Sequence, residues 1–261
     1  MSPLPIVPCE ADELPLHEDL WGKICEAYHE RGEAPYSIRR EDGHIETDHS
    51  PEVYFAEPDE FFPWESDLLT AARGPILDVG SGPGRMMLWA QEAGHRVVGI
   101  EASPRTARVA MERGAHDVRL GRWQELDALL EPGERDFACA LLMGHNPGLA
   151  GDLDGFEQLL SLLHGVTAPE ASLLLTSIDF LSTSDPKHLA LQRALGASGR
   201  YPGAFRIRVE FVGRRGSYFP WLLVAPGDLA RVGRATGWRI ERLEPSGEGH
   251  YGAVLRRSTD G

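Results

Sequence analysis

The sequence is poor in cysteine and has no long hydrophobic run. Its 261 residues include three cysteines, Cys9, Cys25 and Cys139, and their wide spacing matches neither a disulfide framework nor a zinc-binding motif. The longest apolar stretches, 138–143 and 172–178, are far shorter than the roughly 20 residues needed to span a bilayer. These absences exclude a disulfide-stapled scaffold and predict a protein that does not cross a membrane.

Basic residues are also scarce. Lys and Arg number 26 against 40 Asp and Glu, which gives a formal net charge of −14. Because nucleic acids are bound through basic surfaces, this balance argues against a nucleic-acid partner. Residues 1–20 contain no Lys or Arg and no long apolar stretch, unlike a secretory signal. We therefore expect a cytoplasmic protein, whose oligomeric state the sequence leaves open.

From residue 73 onward, apolar runs alternate with amphipathic stretches, as in a doubly wound α/β fold. Several of the predicted strands are apolar throughout, which is typical of parallel strands covered on both faces. The predicted strands cover 75–79, 96–100, 117–120, 136–143 and 172–178, and the predicted helices cover 84–92, 104–113, 123–130 and 153–163.

Two segments do not follow this alternation of strands and helices. Residues 1–72 contain predicted helices at 16–31 and 59–72 and a short hairpin at 37–47, which indicate an N-terminal helical cap. Residues 181–224 contain a predicted helix at 187–195 and hairpin strands at 205–212 and 218–224, which indicate an insertion. A helix at 226–236 and strands at 238–243 and 251–256 would complete the sheet. We predict one domain over 73–261, with a cap at 1–72 and a substrate-side insertion at 181–224.

The most informative segment runs from Ile76 to Arg85 and reads ILDVGSGPGR. An apolar strand carries Asp78 near its end, and a glycine-rich turn then opens a helix. Glycine permits unusual backbone angles and lets a ligand approach the main chain closely. The next strand ends in Glu101, 17 residues after Gly84. In a parallel sheet this carboxylate lies beside the turn, where it can accept hydrogen bonds from a ribose diol.

Two kinds of nucleotide ligand could use such a turn. A nicotinamide dinucleotide favours the pattern G-x-G-x-x-G, in which main-chain N–H groups face the pyrophosphate. Here Arg85 replaces the last glycine, and Pro83 removes one of the N–H donors. A ligand with a ribose but no phosphate therefore fits this turn better.

Residues 73 to about 179 resemble the class I S-adenosylmethionine-dependent methyltransferases in this motif and in the strand–helix order around it. The resemblance implies a Rossmann-like α/β fold, methyltransferase activity and S-adenosyl-L-methionine as the cofactor. It implies that the ribose hydroxyls are held by Glu101. It places the methionine part of the cofactor against the turn, with contacts from Asp78, Gly80, Ser81, Gly82 and Gly84.

Two further residues are predicted to bind the cofactor. Arg85, directly after the last glycine, could neutralise the carboxylate of the methionine part; alternatively, it is a surface arginine paired with a nearby acid. Trp123 follows the third strand, in a loop that flanks the adenine in the family. Its ring could cover the adenine or cap the hydrophobic core beneath the helix.

The fourth strand leads into the loop GHNPGLAG at residues 144–151. Open α/β sheets bind ligands at the carboxyl ends of their strands, so this loop should lie at the site. It resembles the corresponding loop of a subgroup of bacterial methyltransferases, with His145 in place of an Asn. We predict that His145 and Asn146 line the point of methyl transfer and that His145 acts as a general base. The alternative is that His145 only shapes the loop.

The acceptor is predicted to be a small molecule, held by aromatic residues of the cap and the insertion. The same rings could instead simply pack the cap onto the domain. Methylation of a protein or an RNA, and cofactor binding without chemistry, are the alternative functions. No metal is predicted, because His44 and His49 lack a supporting cluster of ligands. The aromatic residues are Tyr54, Phe55, Phe61, Phe62, Trp64, Tyr218, Phe219 and Trp221.

Overall fold

The computed structural model describes residues 19–258 of the chain. Cys9 and the first residues of the helix predicted at 16–31 lie outside this range. Within it, every helix is too short or too polar to cross a membrane. The strands are β1 (Tyr36–Arg40), β2 (Ile45–His49), β3 (Ile76–Val79), β4 (Val97–Glu101), β5 (Val118–Leu120), β6 (Phe137–Leu142), β7 (Thr167–Ile178), β8 (Ala204–Phe211), β9 (Arg214–Arg215), β10 (Phe219–Leu222), β11 (Trp238–Gly247) and β12 (His250–Arg257). The helices are α1 (Leu20–Arg31), α2 (Pro63–Leu69), α3 (Arg85–Glu92), α4 (Pro104–Glu112), α5 (Leu126–Leu129), α6 (Leu153–Val166), α7 (Pro186–Ala197) and α8 (Pro226–Ala235).

A seven-stranded sheet forms the centre of the molecule, in the order β11-β12-β7-β6-β3-β4-β5. Strands β3 to β7 are parallel to one another, whereas β12 runs antiparallel to both of its neighbours. Helices lie between successive strands, as a parallel sheet requires. The predicted α/β fold with a doubly wound, mostly parallel sheet is confirmed.

Apolar side chains cover both faces of this sheet. Residues of β3 alternate between the faces, so Leu77 and Val79 join one core cluster and Ile76 joins the other. Helix α6 covers part of one face. It begins after Asp152, which caps the first turn by accepting a hydrogen bond from the Gly155 N–H. Its buried residues Phe156, Leu159, Leu160 and Leu163 recur at helical spacing.

A second, smaller sheet joins the two segments that flank the central domain. Its strand order is β10-β8-β1-β2, with β9 paired to β8. Strands β1 and β8 pair antiparallel, with Ser37 opposite Glu210 and Arg40 opposite Ile207. The two hairpins resemble those expected at 37–47 and 205–224, but their pairing with each other was not predicted. The segments described above as cap and insertion therefore share one sheet.

The prediction of a single helix over 59–72 is wrong. The structure has a 3-10 turn at Pro58–Glu60 and then α2, which begins at Pro63. Proline is favoured at the first helical position because it lacks an N–H, and it keeps the preceding residue extended. Phe62 accordingly has φ −58° and ψ 140°, which separates the two helical pieces.

Strand β7 begins at Thr167, earlier than the predicted residue 172. The extension pairs with β6 through Phe137 and Thr167, and the register shifts between Phe137 and Cys139. Glu170, in this extension, has φ 62°, a conformation that is uncommon outside glycine. Such an irregular start cannot be read from an alternating apolar pattern.

Helix α1 packs beside the carboxyl end of β4. Its Gly22 lies so close to α4 that an added Cβ would be 2.5 Å from Ser103 Oγ. Glu26 and Asp19 pair with Arg105, at 3.1 and 3.4 Å. The N-terminal helix is therefore held next to Glu101, which ends β4.

Candidate active site

The glycine turn after β3 is closed on one side and open on the other. Gly80 and Gly82 have φ values of 75° and 56°, in the left-handed region that side chains disfavour. A Cβ at Gly80 would lie 2.6 Å from both Asn146 Nδ2 and Leu149 Cδ1, whereas a Cβ at Gly82 would have no described heavy atom within 4 Å. The backbone at Gly82 is thus the part of the turn that a ligand can approach.

Glu101 contacts this turn directly. Its Oε2 accepts a hydrogen bond from the Gly82 N–H at 2.9 Å, and its Oε1 accepts one from the Ser103 N–H at 2.8 Å. Glu101 is 8% exposed. Burial raises the pKa of its carboxyl, while the two N–H donors lower it. The carboxylate lies beside the glycine turn, where the spacing of the sequence predicted it.

Two buried polar atoms near the turn have no hydrogen-bond partner among residues 19–258. They are Asp78 Oδ2 and Ser81 Oγ. Burial, with the nearby Glu101 carboxylate, raises the pKa of Asp78 to about 7. Leaving a buried polar group unpaired costs about 1–3 kcal/mol. These atoms therefore indicate that the turn is built to receive a polar ligand.

Arg85 is a buried arginine with an acidic partner, not a surface arginine. Its two terminal nitrogens donate to the two carboxylate oxygens of Glu65, at 3.0 and 2.7 Å. The guanidinium also lies 4.0 Å from the centre of the Phe61 ring. Its Nε is buried and makes no hydrogen bond within the described part of the chain. Sequence analysis missed Glu65, which anchors α2 to the start of α3.

Trp123 lies in the hydrophobic core and is 7% exposed. Its indole N–H donates to the carbonyl oxygen of Leu149 at 3.1 Å. The ring therefore connects the loop after β5 to the loop after β6. This position agrees with the packing alternative and leaves little of the ring surface free.

Asn146 lies against the glycine turn. Its Nδ2 donates to the carbonyl oxygens of Val79 and Gly80, both at 2.8 Å. These bonds use both hydrogens of the amide. The loop after β6 and the turn after β3 are thus brought together, and Asn146 fixes their separation.

His145 lies one residue earlier and faces a second histidine. Its ring centre is 5.0 Å from that of His250, at the start of β12. Its backbone N–H donates to Thr176 Oγ1 at 3.0 Å, and its Nδ1 is buried without a partner among the described residues. Burial, followed by the proximity of His250, lowers the pKa of His145 to about 4. His145 is therefore neutral at pH 7.

Aromatic residues from the flanking segments contact the loop after β6 before and after His145 in the sequence. A Cβ added to Gly144 would be 3.5 Å from the Tyr54 ring, and one added to Gly148 would be 2.3 Å from the Trp221 ring. Tyr54 precedes α2, and Trp221 belongs to β10. The loop after β6 is therefore contacted by both of the segments that share the smaller sheet.

Sequence reasoning missed His250 and Thr176, which contact His145. Thr176 lies near the carboxyl end of β7. His250 lies at the start of β12 and pairs with Ile178, the last residue of β7. Local sequence offered no signal for His250, because its position depends on the antiparallel pairing of β12 with β7. For Thr176 the local sequence signal is a polar residue that follows the apolar run of β7.

Comparisons with known proteins agree with this geometry. Residues 76–169 match the family model described as a methyltransferase domain. No curated protein matches the chain. The fold is similar to a SAM-dependent methyltransferase from Bacteroides fragilis in complex with S-adenosyl-L-homocysteine, with a TM-score of 0.76 and 22% identity over 94% of this chain and 97% of that one.

Two further solved structures share the fold at lower similarity. A SAM-dependent methyltransferase from Methanosarcina mazei has a TM-score of 0.59 and 15% identity over 76% of this chain and 98% of that one. The 1,6-didemethyltoxoflavin-N1-methyltransferase of Burkholderia thailandensis has a TM-score of 0.52 and 17% identity over 99% of this chain and 93% of that one. Residues 76–169, which include the glycine turn and Glu101, therefore match a methyltransferase domain, and the fold of the chain is that of SAM-dependent methyltransferases.

Proposed function

We propose that the protein transfers a methyl group from S-adenosylmethionine to a small-molecule acceptor by direct displacement. The observation that carries this proposal is the contact of two aromatic rings with the loop that holds His145: Tyr54 lies against Gly144 and Trp221 against Gly148. Aromatic rings beside the point of methyl transfer suit a small, partly apolar acceptor.

The cofactor supplies an electrophilic methyl group on a sulfonium when it is bound. Glu101 would accept hydrogen bonds from the ribose hydroxyls, and the open backbone at Gly82 would lie against the ligand. The unpaired Asp78 Oδ2 and Ser81 Oγ are suited to polar groups of the methionine part. Gly80 and Gly84 would shape the turn without blocking it.

Arg85 and Trp123 have supporting roles in this proposal. Nη1 and Nη2 of Arg85 each donate one hydrogen to Glu65, and the buried Nε–H, which has no partner among the described residues, is suited to meet the methionine carboxylate. Trp123, buried in the core, would form the floor beneath the adenine side through its bond to Leu149.

On the acceptor side, His145 and Asn146 have different roles. Asn146 uses its amide to hold the glycine turn, so it would position the cofactor relative to the acceptor loop. His145, neutral because its pKa is lowered, can accept a hydrogen bond or a proton from the acceptor nucleophile. A pKa of about 4 makes it a weak base at neutral pH, since general bases work best near the operating pH.

Two further observations support a small-molecule acceptor. The similar structure from Burkholderia thailandensis holds 1,6-didemethyltoxoflavin together with S-adenosylhomocysteine. The net charge of −14 disfavours a nucleic-acid partner.

Cys25 and Cys139 are both unpaired and buried, which is in keeping with a reducing, cytoplasmic location.

The proposal is tested by incubating the protein and a cell extract with S-adenosylmethionine labelled in its methyl group. The extract is then separated into small molecules, protein and RNA, and labelled products are identified by mass. We expect enzyme-dependent label in the small-molecule fraction, and much less of it with Glu101→Ala when S-adenosylmethionine is below saturation. Label in protein or RNA alone would contradict the acceptor class. Tight cofactor binding without a labelled product in any fraction would contradict catalysis.

A further inference from the structure

Three potential metal ligands meet where the β1–β2 hairpin contacts α7. His44, Glu46 and His188 each bring one ligand atom into a group whose members all lie within 4.8 Å of one another. His44 Nε2 is 3.8 Å from Glu46 Oε1. The rings of His44 and His188 meet edge to face, with centres 6.1 Å apart. The two histidines are partly buried, so the group is held by the fold.

The backbone of the hairpin explains why these side chains share a face. Residues two apart on a strand point to the same side, so His44 and Glu46 project together. His49 would normally point away from them. The register shifts, however, from Ile38 opposite Glu46 to Tyr36 opposite His49, and Asp48 has φ 62°. This bulge turns His49 back towards Glu46.

Two further contacts support the group. His49 Nε2 lies 3.4 Å from Glu46 Oε2, the carboxylate oxygen that does not face His44. Thr183 Oγ1 lies 3.3 Å from His188 Nδ1 and orients that ring. A partner such as Thr183 fixes the ring orientation of a metal-binding histidine, whereas His49 Nε2 is near Glu46 but makes no hydrogen bond within the described residues. The cluster therefore has three candidate ligands and one group, Thr183, that would orient His188.

We propose that His44, Glu46 and His188 bind a divalent transition-metal ion of the Zn²⁺ type. Imidazole nitrogen and carboxylate oxygen are ligands that Zn²⁺ prefers, at about 2.0–2.2 Å, and three protein ligands leave one position for water. A tetrahedral site places neighbouring ligand atoms about 3.4 Å apart. The observed 3.8 Å between His44 and Glu46, and the limit of 4.8 Å across the group, require the ligand atoms to close by at most about 1.4 Å. This site is separate from the glycine turn and does not depend on the proposed acceptor.

Metal binding here would connect parts of the chain that are far apart in sequence. His44 and Glu46 lie on the N-terminal hairpin, whereas His188 lies on α7, which precedes strand β8 of the same sheet. A contact already exists at this junction, from Arg40 Nη2 to the Lys187 carbonyl oxygen at 3.5 Å. A bound ion would fasten the hairpin to the helix and stabilise the folded state by mass action.

The test is equilibrium dialysis of the tag-free protein against Zn²⁺, with metal content measured by elemental analysis. We expect one ion per chain for the wild type. His188→Ala should lower the affinity by at least about tenfold, and Thr183→Val by about 10–100-fold, the usual effect of removing an outer-shell partner. Zn²⁺ should also raise the melting temperature of the wild type but not of His188→Ala.

The matched control is His116→Ala, which removes an exposed histidine far from the hairpin in sequence. It should bind Zn²⁺ and respond in melting temperature like the wild type. His44→Gln provides the same test on the hairpin if His188→Ala does not fold. Absence of stoichiometric binding by the wild type, or equal binding by the wild type and the ligand variants, would overturn the proposal.

Discussion

Asn146 donates a hydrogen bond to the carbonyl oxygen of Gly80 at 2.8 Å, so the loop after β6 holds the glycine turn after β3. The same amide donates to Val79 at 2.8 Å. The residue expected to touch the acceptor is therefore also the one that fixes the cofactor turn. The loop after β6 and the glycine turn are therefore linked through one side chain.

Replacing Asn146 by Asp should weaken cofactor binding. A carboxylate cannot donate to either carbonyl, so both bonds are lost and like charges face each other. At about 0.5–1.5 kcal/mol for each hydrogen bond, affinity for S-adenosylhomocysteine should fall about tenfold. Calorimetric titration measures this change. Asn146→Asp binding as tightly as the wild type would mean that the turn keeps its shape without these bonds.

Asp78→Asn should stabilise the protein in the absence of cofactor and weaken its binding. The folded-state pKa of Asp78 is raised to about 7 from an ordinary value of 3.8. Between these two pH values the folded protein binds a proton at Asp78 that the unfolded chain does not. The cost of burying the charged carboxylate therefore lowers the free energy of unfolding increasingly as the pH rises from about 4 to about 7. Above that pH it amounts to at most about 4 kcal/mol.

The measurement is the free energy of unfolding of wild type and Asp78→Asn at pH 5.5 and pH 8. We expect the gain from Asn to be larger at pH 8. The gain should disappear at saturating cofactor, because the wild-type carboxylate then has a partner. An equal effect of the substitution at both pH values would show that Asp78 does not carry the buried charge.

Glu65→Gln should destabilise the protein by several kcal/mol, because it leaves the buried charge of Arg85 without its partner. The combined replacement of Arg85 by Met and Glu65 by Leu should recover much of that stability. Denaturant unfolding of the single and double variants measures the coupling. Arg85→Lys keeps the positive charge but removes the guanidinium, so a loss of cofactor affinity of about tenfold supports a contact between the guanidinium and the cofactor. Cofactor affinity equal to wild type would leave Arg85 as a packing residue.

His145→Asn should lower turnover by about 10²-fold, the lower end of the range for a general base, without changing cofactor affinity. The folded-state pKa of about 4 lies below the ordinary 6.5, so His145 stays neutral from pH 6 to 9. The turnover rate of the wild type should therefore not fall near pH 6.5, and its pH profile in that range should match that of the variant. Near-normal turnover of His145→Asn would identify His145 as a residue that only shapes the loop.

The same shift affects stability. Between pH 6.5 and about 4 the unfolded chain binds a proton at His145 that the folded protein does not. The wild type should therefore lose stability as the pH falls through this range, and His145→Asn should lose less. Chemical unfolding at pH 7 and pH 5 gives the comparison, with His116→Asn as the control for an exposed histidine.

Much of the central sheet could be predicted from sequence because its signals are local. An apolar strand, a glycine turn and a carboxylate at the end of the next strand define the position of Glu101 without knowledge of distant residues. The site predicted at Asp78, Gly80 and Glu101 is thus compact in the structure.

The remaining features depend on pairings between distant segments. Neither Glu65 nor Arg85 indicates its partner locally, and β1 pairs with β8 across a separation that no periodic pattern encodes. The group of His44, Glu46 and His188 was missed for the same reason: two ligands lie on the hairpin, and the third comes from α7. The bulge at Asp48, which turns His49 inward, has no sequence signature such as glycine.

The most direct test of the cofactor site is calorimetric binding of S-adenosylhomocysteine to the wild type, Glu101→Ala and the control Glu92→Ala, an exposed glutamate on α3. Loss of two charge-assisted hydrogen bonds, at about 1.5–3 kcal/mol each, should weaken binding by Glu101→Ala at least tenfold. Glu92→Ala should bind like the wild type. Unchanged affinity in Glu101→Ala, or tighter binding of a nicotinamide dinucleotide by the wild type, would contradict the assignment.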